Sequence, residues 1–181
     1  APKVAAAARA LGALNPGVAV AGHAARLDTG NVDALLADHD LVLDGCDNFE
    51  TRALVNAACV HAGAPLLSAA LSQWEGQVAL FDPARGGPCY ACLFPEPPAP
   101  GLAPSCAEAG IVGALPGVVG ALLALEAIKH LCGAGDSLRG RLLIFDGLRG
   151  ETRRIGLRSR PDCAVCGGAG WDWVPTGAVA S

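Results

Sequence analysis

Two pairs of cysteines have the spacing of metal ligands. Two residues separate Cys89 from Cys92, and two separate Cys163 from Cys166. This spacing lets both thiolates of a pair reach one ion, and two pairs complete a tetrahedral zinc site with no open position for water. We therefore expect a structural zinc ion. Two alternatives stay open: a redox-active pair, which would usually open a helix after a strand, and unrelated free cysteines.

A second candidate site lies in residues 44–52, DGCDNFETR. The segment follows the apolar run LVLD, which is typical of a buried parallel strand, and it precedes a helical pattern. Ligands of open α/β sheets bind at this edge. The Asp47 carboxylate could hold Mg²⁺, and the first N–H groups of the helix could bind phosphate. The alternative is that Asp47 and Asn48 only cap the helix.

Alternating helices and strands must position these residues. Helices are predicted at 2–14, 32–37 and 49–61, and strands at 18–21, 41–44 and 65–68. This alternation predicts an α/β fold with a Rossmann-like, mostly parallel sheet. Strands at 76–81, 141–146 and within 149–158 lack such crossover helices, so we expect an antiparallel extension. We expect one domain over residues 1–166, followed by a tail over 167–181.

Residues 110–125, GIVGALPGVVGALLAL, carry no charge. This stretch is slightly shorter than the ~20 residues that span a bilayer. Gly and Pro interrupt it, and charged residues follow directly. We expect a buried core helix; a membrane span is the alternative.

The composition limits the class of protein. The 181 residues are 52% hydrophobic and 17% charged, and the net charge is −4. A folded globular chain is expected, with neither nucleic acid nor a membrane surface as partner, because both would require a basic face. The first residues lack the features of a signal peptide. We therefore expect a cytoplasmic protein whose eight cysteines are reduced thiols.

Several motifs resemble one family. Residues 41–52, LVLDGCDNFETR, resemble the DxxDNxxxR segment of the bacterial ThiF/MoeB/HesA group, relatives of the ubiquitin-activating enzymes. The resemblance continues in order along nearly the whole chain, through EGQV at 75–78, CYACLF at 89–94, SCAEAGIVG at 105–113, ALEAIK at 124–129 and CAVC at 163–166. Each motif alone is weak, but together they are very specific.

The resemblance implies an ATP-dependent adenylation of the C-terminal glycine of a ubiquitin-like sulfur-carrier protein. Asp47 then matches the Mg²⁺-binding aspartate of the family, and Asn48 lies beside it at the nucleotide. Lys3 matches a lysine that contacts ATP. Arg52 also matches a family position, where an arginine could equally be structural. Cys106 matches a cysteine that is covalently modified in some relatives and dispensable in others, so an inert thiol is the equal alternative.

The resemblance also implies partners. A carrier ending in Gly-Gly is expected, serving molybdopterin synthase or, alternatively, thiamin biosynthesis. A homodimer and a separate sulfur donor are expected as well. Two other functions stay open: a non-catalytic, zinc-braced scaffold that binds a ubiquitin-like partner, and an NAD-dependent oxidoreductase, for which no dinucleotide fingerprint is present.

The sequence departs from the family in one respect. The glycine-rich G-x-G-G-x-G turn of the nucleotide pocket is absent from these 181 residues, as is an arginine upstream of the family lysine. We therefore expect a fragment of a longer protein, with the missing part of the pocket upstream of Ala1. Weak or no ATP binding is expected from this chain alone.

Overall fold

The computed structural model describes residues 1–96 and 110–167. Cys106 and the predicted tail beyond Gly167 lie outside the described residues. The described α-helices are α1 (Lys3–Leu14), α2 (Val32–Leu36), α3 (Phe49–Ala62), α4 (Tyr90–Leu93) and α5 (Leu115–Cys132). The strands are β1 (Val42–Asp44), β2 (Leu66–Ser72), β3 (Glu75–Phe81), β4 (Arg141–Asp146) and β5 (Glu151–Gly156).

The described strands form one mixed sheet in the order β1-β2-β3-β4-β5. Strands β1 and β2 are parallel, with Val42 opposite Leu66 and Asp44 opposite Ser68. Helix α3 is the crossover that a parallel pair requires. The other three pairs are antiparallel. The predicted α/β fold with an antiparallel extension is thus confirmed, with one parallel pair among the described strands.

Helices cover both faces of the central strands. Leu66 and Leu67 are neighbours on β2, so their side chains point to opposite faces of the sheet. Both are almost completely buried, because both faces are covered. Leu66 packs in a cluster with Val55 of α3, and Leu67 packs in another with Val119 of α5. Burial on both faces accounts for the continuous apolar sequence of these strands.

The stretch predicted as a buried core helix forms α5, and the prediction holds for one face only, because Leu125, Ile128 and Leu131 are exposed. The buried face packs against β2 and β3. Gly76 of β3 permits this close approach, because a Cβ there would lie 2.2 Å from Val119 Cγ2. The buried Glu126 carboxylate accepts the backbone N–H of Leu138 at 3.2 Å and pairs with Lys129. Among the described helices, α5 alone is long and apolar enough to cross a membrane, and 22% of it is buried.

The strand predicted at residues 18–21 is wrong. The segment does not form a strand, and Val18 and Val20 are exposed. An apolar run becomes a strand only where a neighbouring strand accepts its hydrogen bonds, and no described strand lies beside this one.

Candidate functional site

The loop between β1 and α3 carries Asp47 and Asn48. The Asn48 side chain accepts the backbone N–H of Thr51 at 2.8 Å, so it caps helix α3. Asp47 is exposed, and its Oδ1 receives only a 3.4 Å contact from Asn48 Nδ2. Capping therefore falls to Asn48 alone, and the Asp47 carboxylate faces solvent at the amino end of the helix.

Arg52 holds this loop from inside the protein. Its Nη1 donates to Asp44 Oδ2 at 3.1 Å and to Ser68 Oγ at 2.9 Å. Its Nη2 donates to the carbonyl of Ala69 at 2.7 Å and to that of Cys46. One guanidinium thus joins the last residue of β1, the middle of β2 and the loop.

Asp44 completes the arrangement. Its side chain is 1% exposed and its Oδ1 accepts the backbone N–H of Cys46 at 2.8 Å, while Oδ2 also accepts from Ser68. Both terminal nitrogens of the buried arginine therefore donate to protein acceptors, and the arginine fixes the backbone from which Asp47 projects. Sequence reasoning gave Asp44 and Ser68 no role; an aspartate at the end of a buried strand, eight residues before an arginine, was the available signal.

Lys3 is exposed on the first turn of α1, and no residue of this helix is buried. Within the described residues Lys3 forms no ion pair. The convergence of Lys3 and Asp47 on one nucleotide stays a prediction.

The four predicted cysteine ligands come together. All four Sγ atoms lie within 4.8 Å of one another. Sγ of Cys89 lies 3.9 Å from that of Cys92 and 3.6 Å from that of Cys163, and Sγ of Cys92 lies 3.4 Å from that of Cys166. A tetrahedral site with ~2.3 Å zinc–sulfur bonds requires sulfur separations of about 3.8 Å. The cluster therefore has the donor set and the size of a four-thiolate metal site.

A short helix positions the first pair, because Cys89 precedes α4 and Cys92 lies within it. The turn of helix brings the two thiols to one side. Two pairs rather than one converge here, which favours a metal centre over a redox pair. The backbone N–H of Arg160 also donates to Cys92 Sγ at 3.4 Å, a contact that stabilises a thiolate ligand.

Helix α3 connects the two sites. Ala57 and Val60 pack against the cysteine cluster. Asn56, only 1% exposed, accepts the backbone N–H of Tyr90 at 2.8 Å with its Oδ1. Its Nδ2 is buried and has no partner among the described atoms. Asn56 was missed by sequence reasoning, although it lies one helical turn after Arg52 and two after Asn48 on the same stripe of the helix.

Cys46 and Cys59 lie outside the cluster. Burial raises the pKa of each thiol to about 12. Both thiols stay protonated at neutral pH, which agrees with a packing role rather than a nucleophilic one.

Comparisons with known proteins identify relatives. The chain is 49% identical over 170 residues to a sulfur carrier protein adenylyltransferase of Thermus thermophilus, covering 92% of this chain and 63% of the relative. It is 45% identical over 171 residues to the SAMP-activating enzyme E1 of Haloferax volcanii, covering 94% and 63%. It is 52% identical over 134 residues to the mouse adenylyltransferase and sulfurtransferase MOCS3, covering 74% and 29%. The chain thus spans less than two thirds of the length of these relatives.

Solved structures agree on the fold. Escherichia coli MccB superposes with a TM-score of 0.75 at 18% identity, over 92% of this chain and 50% of that one. MccB in a structure with ATP gives a TM-score of 0.73 at 20% identity, over 91% and 50%. The family model described as the ThiF family matches residues 1–165. The match includes both the Asp47 loop and three of the four clustered cysteines, so the resemblance carried by the motifs is confirmed and this chain belongs to the ThiF family.

Proposed function

We propose that the protein carrying this chain adenylates the C-terminal glycine of a ubiquitin-like sulfur-carrier protein. A carboxylate oxygen of the glycine would attack the α-phosphorus of ATP, the bond to pyrophosphate would break, and an acyl-adenylate would result. The names of the relatives support this class of reaction. The observation that carries the proposal is the exposed Asp47 carboxylate at the amino end of α3, on a loop held rigid by buried Arg52.

The chemistry suits these residues. A glycine carboxylate is already ionised at neutral pH and needs no general base. The site must instead align the reactants and offset the charge that accumulates on the phosphates. Asp47 would hold Mg²⁺, which supplies that positive charge. Asn48 and the α3 amino end lie beside it, and Lys3 would add a second cation.

The four clustered cysteines would hold a structural zinc ion. Their number leaves no position for water or substrate, so this ion would not take part in the reaction. It would fix Cys163 and Cys166 to Cys89 and Cys92 at helix α4. Reduced thiols in this number also support a cytoplasmic location.

Further proposals concern the identity of the carrier protein and the assembly of the enzyme. MOCS3 relatives support a carrier that serves molybdopterin synthase, with the thiamin pathway as the alternative. We propose a homodimer, a carrier ending in Gly-Gly and a sulfur donor on another polypeptide. Cys106 is the candidate for a covalent intermediate.

ATP–pyrophosphate exchange tests the proposal. The assay uses the protein as its gene encodes it, together with a purified Gly-Gly carrier. Asp47→Ala should reduce carrier-dependent exchange by about 10²–10³-fold, because one transition-state cation is lost. The matched control is Asp40→Ala, which removes an exposed carboxylate outside the loop and should keep full exchange.

Two results would count against the proposal. Full exchange in Asp47→Ala would remove the assignment of this residue. No exchange by the unmodified protein with either a molybdopterin-synthase carrier or a thiamin-pathway carrier would favour the zinc-braced scaffold instead.

A further inference from the structure

Three arginines surround a cleft at the end of the sheet. The arginine cleft, with a volume of about 460 Å³, is lined by Arg85, Arg139 and Arg158 together with Gly87, Gly140 and Ser159. These residues belong to the segment after β3, the start of β4 and the segment after β5. Three separate stretches of chain therefore bring guanidinium groups to one place.

The arginine cleft is distinct from the Asp47 loop. The loop follows the carboxyl end of β1, whereas the cleft lies where β3 ends beside the first residue of β2, Phe81 opposite Leu66. The two sites therefore lie at opposite ends of the strands. They are also separated by the three strand spacings from β1 to β4, about 14 Å across the sheet.

The charge around the cleft is concentrated. Among the described residues, the cleft is lined by three arginines and by no acidic residue, in a chain whose net charge is −4. One buried carboxylate, Asp82, accepts from Arg139 Nε at 3.0 Å and lies 3.9 Å from Arg85 Nη1. Asp82 orients one guanidinium and neutralises one of the three charges. An excess of positive charge remains facing the cleft.

We propose that the arginine cleft binds a multivalent oxyanion, either the phosphate of a small molecule or paired carboxylates of an acidic peptide. Guanidinium forks match the geometry of both groups bidentately. Ser159 also lines the cleft, and a serine hydroxyl can donate to such an anion. The proposal does not depend on the adenylation reaction, because no residue of the cleft belongs to the Asp47 loop.

Calorimetry tests the proposal with two probes. The metal-loaded protein is titrated with inorganic phosphate and, separately, with the peptide acetyl-(Glu)₄-amide. The test variant Arg85→Ala/Arg158→Ala removes two exposed cleft arginines and spares Arg139, whose partner is buried. The control Arg149→Ala/Arg153→Ala removes the same charge from exposed positions on the β4–β5 hairpin.

We expect at least one probe to bind, and we expect the test variant to weaken its binding tenfold or more. The control should weaken binding less than twofold. Tighter binding of phosphate identifies a small-molecule ligand, and tighter binding of the peptide identifies a protein partner. Absence of binding by both probes at 10 mM (roughly −3 kcal/mol), or equal losses in the two double variants, would overturn the proposal.

Discussion

Replacing Arg52 by alanine is expected to destabilise the fold and not only the candidate site. The guanidinium donates to four acceptors, and its ionic partner Asp44 has a side chain that is 1% exposed. Alanine leaves that carboxylate buried without its counter-charge. Breaking a buried pair from one side costs about 3–5 kcal/mol.

Two further variants separate the contributions of charge and hydrogen bonding to this loss of stability. Arg52→Lys keeps a positive charge near Asp44, but an ammonium cannot reproduce the fork that reaches β2 and the loop together. It loses two or three hydrogen bonds at about 1 kcal/mol each, so we expect a loss of about 2–3 kcal/mol. In the double variant Asp44→Asn/Arg52→Ala no charge is stranded, and the loss should be smaller than the sum of the two single losses.

Urea denaturation followed by circular dichroism measures these free energies of unfolding. Arg149→Ala is the control, because the Arg149 side chain is 67% exposed and the loss of its ion pair with Asp146 should leave the midpoint almost unchanged. A cost below about 1 kcal/mol for Arg52→Ala, or strictly additive single losses, would refute the role of Arg52 as the clamp of the loop.

Three further predictions concern the cysteines and Asn56. Cys163→Ser should abolish stoichiometric zinc, measured by plasma mass spectrometry, and lower the Tm, whereas Cys132→Ser at an exposed position should change neither. Because burial raises the pKa of Cys59 to about 12, the folded state keeps a proton that the unfolded state loses above its ordinary pKa of 9.0. The free energy of unfolding should therefore fall between pH 9 and 12, and Cys59→Ala should make this decline shallower by up to about 1.4 kcal/mol per pH unit; an unchanged slope would contradict it. Asn56→Ala strands the Tyr90 N–H at a cost of about 1–3 kcal/mol and should release metal to a chelator faster than the unmodified protein does; equal release rates would argue against this link.

Much of the candidate site could be predicted because it is encoded locally. The spacing within Cys89–Cys92 and Cys163–Cys166 predicts a metal centre without knowledge of the fold, and the structure brings all four thiols within 4.8 Å. The cap formed by Asn48 is likewise a matter of a few neighbouring residues. The convergence of the two cysteine pairs, 74 residues apart, depends instead on the fold.

The features that sequence reasoning missed depend on contacts between distant segments. Arg52 was itself predicted, with a structural role as the alternative, but its partners were not: β2 places Ser68 and the Ala69 carbonyl beside it, 16 and 17 residues away. The strand predicted at residues 18–21 failed for the converse reason: its apolar pattern is suitable, but pairing requires a neighbour. Asn56 was missed because its acceptor role depends on Tyr90, 34 residues later.

The separation between the two cysteine pairs has a consequence for biosynthesis. Cys163 emerges from the ribosome 74 residues after Cys89. At 5–20 residues per second, the first pair waits roughly 4 to 15 s for its complement. During that interval the nascent polypeptide presents a bare dithiol that can be oxidised or captured by a foreign ion. If the cluster holds a metal ion as proposed, acquisition of that ion is a late step of maturation, and its yield should depend on the redox state of the compartment during translation.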